Sequence, residues 1–126
     1  MDNALPSESL ASLAARLRAF ASERDWDQFH SPKNLASALS VEAAELLEHF
    51  QWLTEEESRH LSGDKREAVA LEAADVLLYL IQLSDKLGID LMEAAARKLE
   101  INRAKYPVDA AHGTSRKYTE LQQPRE

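Results

Sequence analysis

The sequence predicts an all-α fold, a four-helix bundle-like domain. Only three glycines occur among 126 residues, and no run of alternating β-branched residues indicates a strand. The longest helical pattern, residues 68–83, is rich in Ala and Leu and contains neither Pro nor Gly. Its large apolar side chains point in nearly every direction, so this helix is expected to be buried on all sides.

The first predicted helix covers residues 8–22, after a loose N-terminus at residues 1–6. Ser7 is the expected N-cap of this helix. The segment that follows, residues 23–30, is not periodic and carries aromatic side chains that either plug the core or line a pocket, with packing the commoner use. These side chains are Trp26, Phe29 and His30.

Three more helices are predicted from their end signals. The second covers residues 32–53, since Ser31 is a good N-cap and Pro32 suits the first helical position. The third contains the long Ala and Leu run. Its expected N-cap is Asp64 and its expected stop is Gly88.

The fourth predicted helix covers residues 91–106, between the N-cap Asp90 and Pro107. A capping box that begins at Thr54 predicts a short charged turn before the third helix. The chain is thus read as one domain, residues 7–107, followed by a mostly irregular tail, residues 108–126.

Composition excludes several classes of protein. The chain has no cysteine, so disulfides, thiolate nucleophiles and cysteine-based metal sites are absent. No apolar run reaches the length of a membrane span, and the N-terminus does not resemble a signal peptide, so a cytoplasmic location is expected. A formal charge of −7 argues against binding to duplex nucleic acid.

Two pairs of carboxylates lie on the apolar faces of the second and third predicted helices. Glu42 and Glu45 are three residues apart, as are Glu72 and Asp75, so each pair shares a helix face. Because a short connector makes the two helices neighbours, the four acids are expected to converge. A lone acid such as Glu42 in an apolar stripe is alternatively explained by a buried salt bridge.

Converging carboxylates repel one another unless a cation or a proton intervenes. Mg²⁺ suits such oxygen ligands, with Mn²⁺ as an alternative. Zinc is not favoured because no pair of histidines has ligand spacing, and a di-iron site would require Glu-x-x-His pairs that the chain lacks. The sequence therefore predicts a magnesium site.

At these residues the chain closely resembles the MazG-type nucleoside triphosphate pyrophosphohydrolases, and within them the dCTP pyrophosphatase branch. The similarity covers residues 10–121 and joins the two acid pairs to several further blocks. These blocks are Glu23-Arg24-Asp25-Trp26, Phe29-His30, Phe50-Gln51-Trp52, Asp75-Val76-Leu77, Asn102-Arg103, Tyr106-Pro107 and Lys117-Tyr118-Thr119.

The resemblance implies that Glu42, Glu45, Glu72 and Asp75 bind Mg²⁺. One of these acids, Glu45 or Glu42, is expected also to orient the attacking water. It also implies a nucleotide pocket, to which residue chemistry adds that an indole stacks on bases and that a lysine attracts phosphate. On the helical wheel alone, Lys98 and Asn102 would be read as ordinary surface. The implied pocket residues are Trp26, His30, Trp52, Tyr79, Lys98 and Asn102.

Two positions depart from the family pattern. Val41 precedes Glu42 where many MazG-type sequences have a second acid, so one candidate base is missing. Leu17 stands where close relatives can carry a polar pocket residue, which affects base selectivity rather than the hydrolase assignment.

The expected function is Mg²⁺-dependent hydrolysis of a deoxynucleoside triphosphate, dCTP or a modified dCTP, to the monophosphate and pyrophosphate. The alternatives within enzymes are dUTP, a broad range of nucleotides, or an oxidised or methylated base. The alternative from another class is a non-catalytic helical module whose acids pair with the cations of a partner.

The chain is also expected to be a homotetramer, with a dimer as the minimum unit. One chain of this size offers too few helices to cover the third helix on all sides, and a second subunit would bury the remainder. The resemblance implies the same, since relatives in this branch are oligomers whose pockets use more than one chain.

Overall fold

The computed structural model describes residues 8–121, and this part of the chain contains helices and no strand, which confirms the all-α prediction. The described residues divide into two compact units, residues 8–89 and residues 90–121. The expectation for residues 1–6 falls outside the described residues. Within the described part, no helix combines the length and the apolar character needed to cross a bilayer.

The first unit contains four α-helices and one 3₁₀ turn. They are α1 (Leu10–Glu23), the 3₁₀ turn (Asp27–Phe29), α2 (Pro32–Glu48), α3 (Glu55–Ser58) and α4 (Gly63–Lys86). The second unit contains α5 (Leu91–Lys105), α6 (Val108–Ala111) and α7 (Tyr118–Leu121).

The helix α1 is capped by Ser9, so the prediction of Ser7 is wrong by two residues. The Ser9 hydroxyl accepts a hydrogen bond from the Ser12 amide at 3.0 Å, and the Ser12 hydroxyl accepts one from the Ser9 amide at 2.8 Å. This reciprocal pair satisfies two amides that the first helical turn leaves open, which one hydroxyl cannot do.

The helix α2 begins as predicted, with Ser31 as N-cap and Pro32 as its first residue, but it ends at Glu48 rather than at residue 53. The chain leaves the helix through i to i+3 hydrogen bonds such as Leu53 N to Phe50 O at 2.9 Å. It must do so because Thr54, the confirmed N-cap of α3, needs extended backbone.

The N-cap of the long helix α4 is Ser62 rather than Asp64, since the Ser62 hydroxyl accepts from the Lys65 amide at 3.3 Å. Its end matches the prediction, because Gly88 follows the C-cap with a left-handed φ of 66°. Asp90 then caps α5 as predicted, with its side chain accepting from the Glu93 amide at 3.1 Å.

In the first unit, α4 packs against both α1 and α2. The buried positions among the described residues are Ala21 of α1, Leu35 of α2, and Ile81 and Ser84 in the second half of α4. The first half of α4 is covered less completely, and Leu71 is 62% exposed. Burial of α4 on all sides is therefore not reached within one chain.

The second unit is built on α5 and two single helical turns, which lie in the segment predicted to be mostly irregular. The Lys105 ammonium group lies 5.7 Å from the centre of the Tyr118 ring, a cation–π contact that ties the end of α5 to α7.

Candidate active site

Three carboxylates from two helices form a cluster at the contact between α2 and α4. One oxygen from each of Glu42, Glu45 and Glu72 lies within 4.8 Å of the others. Asp75 lies one turn along α4 from Glu72 and is close enough for its charge to act on Glu42, but it is outside this cluster of three. The structure thus brings three of the four expected metal ligands together and places the fourth beside them.

The cluster has no cation of its own. Among residues 8–121, no lysine, arginine or histidine pairs with any of the four acids, so the salt-bridge alternative for Glu42 finds no partner there. The Oε2 atom of Glu42 and the Oε1 atom of Glu72 are buried and accept no hydrogen bond. Buried carboxylate oxygens without a donor are unfavourable unless a cation or a shared proton compensates them.

The pKa of the Glu42 carboxyl group is raised above its ordinary value. The carboxyl group of Glu72 beside it is the main cause, followed by burial and by the negative charges of Glu72 and Asp75. Crowded oxygen ligands of this kind fit Mg²⁺ or Mn²⁺, which prefer carboxylate donors. The residues present therefore fit the divalent metal that the sequence predicts.

A groove of about 580 Å³ is lined in part by Asp75. Its walls come from α1, the segment around the 3₁₀ turn, and α4. Three of the six expected nucleotide residues line it, namely Trp26, His30 and Tyr79. A groove of this volume is in the range of small-molecule sites.

The segment of residues 25–30, here called the aromatic turn, is held in place by hydrogen bonds. Asp25 has a left-handed φ of 53°, and the Gln28 amide donates to its carbonyl oxygen at 3.0 Å and to its carboxylate at 3.1 Å. The Asn34 side chain donates to the Phe29 carbonyl at 2.9 Å. A left-handed non-glycine residue persists only where such contacts support it.

The aromatic side chains of this turn are not a plug in the core. Trp26 is 45% and Phe29 60% exposed, and His30 is half-buried. Trp26 makes an edge contact with Phe20 at 5.6 Å between ring centres, and both residues line the groove. Of the two alternatives left open by the sequence, the structure favours pocket lining for Trp26 and His30.

Lys86 connects the aromatic turn to α4 through an ion pair with Asp27. On α4, Lys86 continues the stripe of Asp75, Tyr79 and Gln82, at spacings of three or four residues. The ion pair therefore joins the wall that carries Trp26 to the wall that carries Asp75.

Asp27→Asn is expected to raise the KM for the nucleotide about two- to fivefold, since an exposed pair of this kind contributes modestly. Lys86 lowers the pKa of Asp27, so the stabilisation by the pair is present above the ordinary carboxyl pKa and is lost as pH falls through the lowered value. Wild type and variant should then converge in unfolding free energy at acidic pH. Steady-state kinetics measure the KM, and urea unfolding across a pH series measures the unfolding free energy. Asp64→Asn is the control. A KM of Asp27→Asn equal to that of wild type would contradict the expectation.

Three expected pocket residues are not in this groove. Trp52 lies in the turn after α2 and is 86% exposed. Lys98 and Asn102 lie one turn apart on α5, in the second unit.

Gln82 and Phe20 line the groove although the sequence analysis did not select them. Gln82 had a usable signal, because it lies seven residues after Asp75 and three after Tyr79 on the same face of α4. Phe20 had no such signal, because it belongs to an ordinary apolar stripe of the first helix.

Comparisons with known proteins identify the family of the chain. Residues 37–121 match the MazG-like family model. The chain is 45% identical over 118 residues to the human dCTP pyrophosphatase 1 and 46% identical over 109 residues to the bovine one. The matches cover 92% and 84% of this chain, and 69% and 64% of those relatives, so the chain spans about two thirds of their length.

A solved structure gives the same result for the fold. The chain is similar to a pyrophosphatase from Archaeoglobus fulgidus, with a TM-score of 0.74 and 41% sequence identity. The match covers 82% of this chain and 97% of that structure.

Proposed function

Because the chain belongs to the MazG-like family and is a nucleoside triphosphate pyrophosphohydrolase, we propose that it hydrolyses dCTP to dCMP and pyrophosphate with Mg²⁺. The metal is supported by two buried carboxylate oxygens, Glu42 Oε2 and Glu72 Oε1, which accept no hydrogen bond. The groove of about 580 Å³ described above adjoins this cluster at Asp75. The preference for dCTP follows the names of the human and bovine relatives.

In this mechanism Glu42, Glu45, Glu72 and Asp75 would hold the metal ion. Mg²⁺ bound there would supply positive charge against the charge that develops on the phosphate oxygens. Glu45 is the exposed member of the cluster of three and orients the attacking water. Asp75 belongs to both regions, since it adjoins the cluster and lines the groove.

The rest of the nucleotide is held by side chains of the chain itself. Trp26 is 45% exposed and lines the groove, where its indole stacks on the base, while His30 and Tyr79 line the same space. Lys98 and Asn102, one turn apart on α5, suit phosphate or sugar oxygens, as the family resemblance suggests. Trp52 contacts the nucleotide from its exposed position after α2.

The products decide whether this proposal is right. Purified protein with Mg²⁺ should release pyrophosphate and dCMP from dCTP, and orthophosphate should appear only after an inorganic pyrophosphatase is added. Direct release of orthophosphate, or no hydrolysis of any nucleoside triphosphate, would contradict it. Calorimetric titration with Mg²⁺ and Mn²⁺ tests the metal separately.

A different base is the second candidate, and one comparison favours it. The chain is 41% identical over 61 residues to a dATP/dGTP diphosphohydrolase from the cyanophage S-2L, so purine nucleotides belong in the substrate panel. The panel should also contain dUTP, ribonucleotides, and nucleotides with oxidised or methylated bases. Because the relatives are enzymes, the comparisons do not favour the non-catalytic module. The cytoplasmic location stays a prediction.

We also propose that the active form is a homotetramer, built from dimers. Large apolar side chains lie exposed on the first unit, on both α2 and α4 and in the turn between them. A second subunit that covers them would explain their exposure in one chain. They include Val41, Leu47, Trp52, Leu71 and Leu77.

A further inference from the structure

A second cavity adjoins the groove. It has a volume of about 250 Å³ and lies between α1, the aromatic turn and the second half of α4. Three residues line both spaces, namely Leu17, His30 and Gln82. These residues therefore form the boundary between the two spaces, and a ligand that fills the groove reaches them.

Gln82 has a fixed amide orientation at this boundary. Its side-chain nitrogen donates to the Leu78 carbonyl at 3.3 Å. Only the NH₂ end of an amide can face a carbonyl oxygen, so the orientation follows from chemistry. The amide oxygen is left for another partner, and no described residue donates to it.

The surroundings make that oxygen selective. Leu13, Leu17 and Leu78 line the same groove as Gln82, so a base in the groove would meet apolar side chains as well as the amide. In such surroundings a hydrogen-bond acceptor prefers a ligand that donates to it, and a ligand that presents another acceptor is rejected.

The charged groups of the second cavity are already paired. Arg18 contacts the Asp85 carboxylate at 2.6 Å, and Lys86 pairs with Asp27. Their carboxylates are therefore occupied by cations, whereas the oxygen of Gln82 is not. Gln82 therefore offers an uncharged acceptor at the boundary, which it shares with Leu17 and the imidazole of His30.

We infer that Gln82 determines base specificity by accepting a hydrogen bond from the exocyclic amine of the base. The inference rests on the proposed function, because it assigns the base to this groove. An amino-bearing base such as cytosine satisfies the amide oxygen, whereas uracil presents its O4 acceptor at the same position. Gln82 therefore selects dCTP over dUTP.

The test compares dCTP with dUTP, which differ in this group, in wild type and two variants. Gln82→Met has similar length and no amide acceptor, and it is expected to lower the ratio of kcat/KM for dCTP to that for dUTP about three- to tenfold. Gln82→Glu keeps an oxygen acceptor and should retain the preference for dCTP. Leu83→Met, one residue along α4 and outside both cavities, is the control and should keep the ratio of wild type.

The outcomes separate this inference from the proposed function. If wild type hydrolyses no nucleotide, the proposed function fails. If wild type prefers dCTP and Gln82→Met retains the same ratio while folded by circular dichroism, Gln82 does not read the base. A wild type that prefers dUTP also overturns the inference, although pyrophosphate release would then still stand.

Discussion

Glu72→Gln is expected to lower kcat/KM for the nucleotide by about 10³-fold or more, because it would remove one of the metal ligands that we propose and with it the charge stabilisation that a metal would supply. Glu72 belongs to the cluster of three carboxylates, and its Oε1 atom is buried without a hydrogen-bond donor. No neighbouring side chain in the described part of the chain provides a cation to replace the metal. The effect is expected mainly in kcat, measured at saturating Mg²⁺ and dCTP.

The same variant is expected to behave differently in stability. In the presence of a chelator, Glu72→Gln should unfold at a higher urea concentration than wild type, because the substitution relieves the like-charge contact with Glu42. Mg²⁺ should stabilise wild type by binding its folded state, and it should stabilise the variant less. A variant that loses activity but is more stable than wild type without metal has lost a metal ligand. A residue needed for folding would instead lower the stability when it is substituted.

Glu48→Gln is the matched control for Glu72→Gln. Glu48 is also an acid on a helix of the first unit, at the end of α2, but it is exposed and outside the cluster. Its variant should retain the activity and the Mg²⁺ response of wild type. If Glu72→Gln kept more than about a tenth of wild-type kcat, the cluster would not be the metal site of the reaction.

Local signals predicted the helices well and their first residues less well. Pro32 fixes the start of α2 because proline suits a first helical position, and Gly88 fixes the end of α4 because it has a left-handed φ. Serines and acids compete as N-caps within a few residues. Ser9 and Ser62 cap α1 and α4, and neither was distinguishable from its neighbours before the amides they bond were known.

For the site, too, the sequence predicted some features and left others to the packing of the helices. A spacing of three residues shows that Glu72 and Asp75 share a helix face, but the spacing does not tell how deeply each lies between the helices. Only the packing of α4 on α2 shows that Glu72 joins Glu42 while Asp75 lines the groove. The conformation of the aromatic turn could not be predicted from hydrophobic periodicity either, because it depends on side-chain hydrogen bonds such as that from Asn34 to the Phe29 carbonyl.

Leu71→Glu is expected to dissociate the assembly that we propose. Leu71 is 62% exposed in the first half of α4, and Leu77 further along the helix is 39% exposed. Large apolar side chains that are exposed on the longest helix of a chain are the kind of surface that a second subunit would bury. In a two-fold interface one substitution introduces two charges, which would be buried without partners.

Light scattering at micromolar concentration measures the result. Wild type should have a mass near four times that of one 14.1 kDa chain, and Leu71→Glu a mass of two chains or one. Ser37→Glu adds the same charge at an exposed polar position of α2 and should leave the mass of wild type. An obligate interface of this kind would bury about 2,000 Å² or more, so it should persist on dilution. A wild-type mass near 14.1 kDa would contradict the tetramer, and α4 would then expose its leucines to solvent in the free chain.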